Sequence, residues 1–116
     1  MKAGGIYLKR LVLVLEVFMQ GQSCFVTLVT IELLIPHAQS LKDKRQVVRS
    51  LKERIRAKFN ASVAEVAFQD KWQRAVLAVC LVGSDKRLLT SNTDRIRSLC
   101  EENRDIEITE IEQLWL

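Results

Sequence analysis

Lys42, Arg45, Arg49, Lys52 and Arg56 follow one another at intervals of three, four, three and four residues. At about 100° per residue in an α-helix, that spacing sets all five on one stripe. A row of ammonium and guanidinium groups suits one chemistry above others, the neutralisation of phosphates. Residues 41–59 as a whole hold eight Lys and Arg against Asp43 and Glu53, whereas residues 101–116 hold six acids against Arg104. The asymmetry points to a polyanionic partner, or to a second copy whose acidic tail docks on the basic helix.

Trp72 and Arg74 open a later strand. Exposed, they would stack on a base or anchor a partner; buried, Trp72 would pack against the end of the basic helix. Glu65 and Asp70 lie on either side of the same hairpin and read as solvated carboxylates or as partners of Arg74.

Other chemistry lacks its residues. His37 is the single histidine and reads as a turn residue, since a triad or a zinc site needs placed partners. Neither a Walker-type nor a dinucleotide-binding glycine motif occurs. Cys24, Cys80 and Cys100 are odd in number and far apart, which suits free thiols in the reducing cytoplasm better than disulfides or zinc. The residues therefore assign no catalytic group, metal, cofactor or small-molecule substrate, and the chain reads as a binding protein rather than an enzyme.

The elements that position the basic row can be read from periodicity. Residues 25–35 alternate, with Val29, Ile31, Leu33 and Ile35 on one face and Thr30 and Glu32 on the other, as in a half-buried strand closed by Pro36. Ser40 and Asp43 form the start of a helix whose apolar stripe is Leu41, Val47, Val48, Leu51, Ile55 and Phe59, with Asn60 as its stop. Residues 62–68 and 74–82 read as a hairpin around Gln69-Asp70-Lys71, and the second strand, being almost wholly apolar, belongs in the middle of a sheet. After the capped turn at residues 83–85 comes a second helix with Leu88, Leu89, Asn92, Ile96, Leu99 and Cys100 on its apolar face, and residues 105–112 alternate as a last strand. The order βαββαβ predicts an α+β, ferredoxin-like domain: a four-stranded antiparallel sheet with two helices on one face. The strand at 74–82 has no aromatic residue, which excludes base stacking on the sheet in the manner of an RRM.

A complete domain is thus legible over residues 24–116. Residues 1–23 form an N-terminal extension, either an added strand or amphipathic piece or the product of a misplaced start with Met19 as the true one. Its run Leu11 to Phe18 contains Glu16 and is followed by polar residues, so neither a secretory signal nor a membrane span is expected.

Three ordered blocks, Ile35 to Arg45 (IPHAQSLKDKR), Phe59 to Val66 (FNASVAEV) and Gln69 to Ala75 (QDKWQRA), resemble the bacterial YlxP-like family over residues 25–112. His37 and Phe68 depart from its usual Gly and His, and residues 1–18 have no counterpart. The resemblance implies a ferredoxin-like fold and no established catalytic residue. Through the frequent placement of its genes beside those of translation-initiation and ribosome-maturation factors, it also implies a link to RNA. The expected role is a non-catalytic module that binds RNA or ribosomal particles through Lys42, Arg45, Arg49, Lys52 and Arg56, with Trp72 and Arg74 as further contacts. The alternative is a homo-oligomeric interaction module without nucleic-acid binding.

Overall fold

The structure, a computed structural model, describes residues 9–13, 15–16 and 23–116. The elements run β1 (Phe25–Leu34), α1 (Leu41–Phe59), β2 (Ser62–Ala67), β3 (Arg74–Gly83), α2 (Lys86–Glu101) and β4 (Glu107–Trp115). Outside them, the described residues 9–13 and 15–16 are helical. The sheet is ordered β2-β3-β1-β4 with every pair antiparallel, which is the ferredoxin-like α+β arrangement. The apolar strand β3 is central, as its composition requires.

The alternation of β1 is borne out: Val29, Ile31 and Leu33 are fully buried beneath the helices, and Ile35 just past the strand is buried too. From β3 come Ala75, Leu77, Val79 and Leu81 on the same face. Val48, Leu51 and Ile55 of α1 and Leu89, Ile96 and Leu99 of α2 close the core from above. Each such aliphatic side chain contributes about 1.5–3 kcal/mol on leaving water.

The caps also form as the residue types require. Ser40 Oγ accepts from the Asp43 amide at 3.0 Å, and Asp43 accepts from the Gln39 amide at 3.0 Å. Asn60 ends α1 in the left-handed region at φ 48°, and Asp85 caps α2 by accepting from the Arg87 amide.

Several boundaries differ from the periodic reading. β2 stops at Ala67 because Phe68 has φ 61°, outside the extended region, just after a bulge between Glu65 and Ala67. β4 runs to Trp115 rather than to residue 112; Lys86 sits 4.9 Å from the Trp115 ring, which meets Phe25 edge-on, and this cluster fixes the end of the strand. In α2, Leu88 is exposed and Thr93 is buried in its place, since 89, 93, 96 and 100 make the inward stripe. The Thr93 hydroxyl is satisfied by donating to the Leu89 carbonyl.

Candidate nucleic-acid interface

On α1 the inward stripe is Lys44, Val48, Leu51, Ile55 and Phe59. The five predicted cations lie about 100° round from it. Lys42, Arg45, Arg49 and Arg56 are exposed and Lys52 is half-buried. Arg56 Nη2 donates to the Val63 carbonyl at 2.7 Å, which fixes the row on the flank of α1 that borders the edge strand β2. At a rise of 1.5 Å per residue, the row is about 21 Å long with one cation per turn.

Among the described residues, the ion pairs are Lys44–Glu65 and Arg74–Glu32. None of the five cations in the row has a carboxylate within salt-bridge distance among the described residues. Of the two acids of α1, Asp43 is turned to the helix cap, and Glu53 is exposed and forms no ion pair among the described residues. Adjacent like charges on a helix repel by a few tenths of a kcal/mol per pair, so the row is an arrangement that an anion would relieve.

Lys44 belongs to a different environment from its neighbours. It is 1 % exposed, its Nζ lies 3.0 Å from Glu65 Oε2, and it donates to the Phe68 carbonyl. This corrects two expectations. Lys44 adds nothing to the basic surface, and Glu65 is the partner of Lys44, not a solvated group or a partner of Arg74. Sequence position held the signal: Lys44 stands four residues before Val48 and seven before Leu51, on the apolar stripe, and Glu65 is the single acid of β2.

Trp72 and Arg74 do not join the row. Arg74 ion-pairs with Glu32 on the sheet face away from the helices, and its guanidinium lies 3.9 Å from the centre of the Phe68 ring. Trp72 is 52 % exposed, and with Leu34, Gln73 and Arg74 it lines a shallow open groove on the hairpin. Gln73 pins that hairpin to the start of α1 by donating to the Pro36 and Ala38 carbonyls. His37 is exposed in the turn.

Among the described residues, no group of three or more His, Cys, Asp or Glu is placed to hold a metal ion, and no helix is long and apolar enough to cross a membrane. Cys100 is fully buried, and burial, with the Glu101 charge adding and Arg54 opposing, pushes its thiol up to about 11. Such a thiol is unreactive near neutral pH.

The family model described as a protein of unknown function (DUF503) matches residues 26–113, which takes in both helices, β2, β3 and all but the outermost residues of β1 and β4. The chain belongs to the DUF503 family. Among curated relatives of this DUF503 chain is the uncharacterized protein YlxP of Bacillus subtilis (strain 168), 32% identical over 84 residues that cover 72% of this chain and 91% of that one. Two solved structures are similar in part. The de novo designed protein Foldit4 has a TM-score of 0.45 and 16% identity over 79% of this chain and 97% of its own. The structural-genomics protein YJCS has a TM-score of 0.43 and 8% identity over 77% and 96%.

Proposed function

We propose that this DUF503 protein is a non-catalytic cytoplasmic module that holds RNA, free or in ribosomal particles, by its phosphate backbone along α1. The observation that carries the reading is the row Lys42, Arg45, Arg49, Lys52 and Arg56, none of them paired with an acid among the described residues. Binding through phosphates positions a strand without reading its bases. The absence of aromatic residues from β3 fits that mode. Lys44 and Arg74 are neutralised within the protein and take no part.

The reading is tested by titrating the protein with labelled single-stranded RNAs of equal length and unrelated sequence. Equal affinities within about threefold are expected, because the contacts are to phosphates alone. Selection of one sequence by a hundredfold would place the recognition elsewhere. A failure of every RNA to bind at low salt would leave α1 as a solvated face.

A further inference from the structure

Both helices cover one face of the sheet, and the opposite face is divided in two. At one end the cross-strand rows are Val82–Val26 and Cys80–Leu28–Leu114, with Leu116 held beside Val26 by the hydrogen bond that its backbone N–H donates to the Val26 carbonyl. Val82 is 63 % exposed, Leu114 58 % and Leu116 73 %. Further along, the face turns acidic with Glu32, Glu110 and Glu112. The apolar part is the end at which the chain enters β1. The helical stretch just before β1 has an unsatisfied surface of its own: Leu11, Val12, Leu13 and Leu15 are all about half exposed or more. Consecutive exposed apolar residues of this kind are rare unless something covers them.

We propose that the helical stretch bearing Leu11 and Leu15 docks on the Val26–Leu28–Val82–Leu114 end of the sheet, as an intramolecular cover for that face. Leu11 and Leu15 stand four residues apart, the spacing that places two side chains on one side of an α-helix, while Val12 flanks them. Nine residue steps separate Glu16 from Phe25, a span of up to about 30 Å when extended, and the target begins at Val26 itself. The tether makes this association unimolecular, with the high effective concentration of a short linker. A second copy is the poorer occupant, since covering the whole face would bury Glu32, Glu110 and Glu112 against it. The matched family region begins at residue 26, so the cover is a property of this chain rather than of the family domain.

Cys80 lies within the apolar end and reports on it. The test uses the full chain carrying Cys24→Ser, alkylated by iodoacetamide at neutral pH; Cys100 is buried and silent. Cys80 should react slowly in this protein. It should react at least about tenfold faster when Leu11 and Leu15 are both changed to Glu, since the lost burial of even one aliphatic side chain corresponds to about that ratio. Val82→Glu, at an exposed position that the fold tolerates, should give the same gain from the other side of the contact. Equal rates in all three proteins would overturn the proposal. So would protection that grows with protein concentration, which assigns the cover to a second copy. Binding of the full chain to phosphatidylcholine vesicles without change in Cys80 reactivity would also overturn it, by sending the leucines to a membrane.

Discussion

Lys44 Nζ and Glu65 Oε2 lie 3.0 Å apart, with the lysine side chain 1 % and the glutamate 17 % exposed, so an ion pair joins the first turns of α1 to the edge strand β2 beneath the helix. The same ammonium reaches the Phe68 carbonyl, the point where β2 leaves the extended conformation. One cation is thereby neutralised inside the fold at the start of a helix whose other cations have no acidic partner among the described residues.

Breaking this pair from one side should be costly. Lys44→Met leaves a largely buried carboxylate without its cation and should lower the unfolding free energy in urea by about 3 kcal/mol. Adding Glu65→Leu should restore most of that loss, because an apolar pair of similar volume carries no desolvation penalty. With Glu65→Leu also measured alone, a double variant whose loss equals the sum of the two single losses would show that the two side chains are not coupled.

Glu110 and Glu112 are neighbours on the open sheet face, and hydrogen bonding to Glu112, the Glu112 charge, slight desolvation and Glu32, in that order, hold the Glu110 carboxyl above its ordinary range. With its pKa raised, the folded state binds a proton more readily than the unfolded state. The Glu110 contribution to stability should therefore be lost as pH rises from about the unperturbed carboxyl value of 4.5 through its raised folded pKa. Glu110→Gln should flatten that slope and melt higher than the parent at pH 7. Thermal melts across pH 4 to 7 that coincide for the two proteins would contradict the assignment.

Trp72 and Arg74 stand apart from the basic row. Trp72→Ala and Arg74→Gln should each change RNA affinity by less than about twofold, since Arg74 already serves Glu32 and phosphate contacts need no stacking. The exposed Trp72 should also contribute little to stability, within about 0.5 kcal/mol. A tenfold loss of affinity in either variant would draw the hairpin groove into the interface.

The fold was legible where one pattern dominated. The period of two in β1, the Ser40 and Asn60 caps and the unbroken apolar run of β3 each left a single physical solution. The misses came where two patterns overlap. Lys44 lies at once in a basic segment and on the apolar stripe, and residue type alone suggests solvent, whereas the Glu65 that neutralises it comes from another element. Leu88 and Thr93 exchanged roles because α2 turns Leu89 rather than Leu88 inward, and the Thr93 hydroxyl can be satisfied by its own helix. Arg74 could be paired on sequence only with nearby acids; the Glu32 it uses is brought beside it by the β1–β3 register.

The measurement that bears most directly on the account is the salt dependence of binding to mixed-sequence single-stranded RNA. If the five cations of α1 neutralise four or five phosphates, the observed association constant should fall with salt at a log–log slope near −3. The variant carrying Arg45→Gln, Arg49→Gln and Lys52→Gln keeps helix-forming side chains and should retain its circular dichroism spectrum. It should bind every RNA more weakly, with a slope reduced to about −1.5 for the two cations that remain. A folded triple variant whose affinity and slope match those of the parent protein would contradict the claim that this row is the RNA-binding surface.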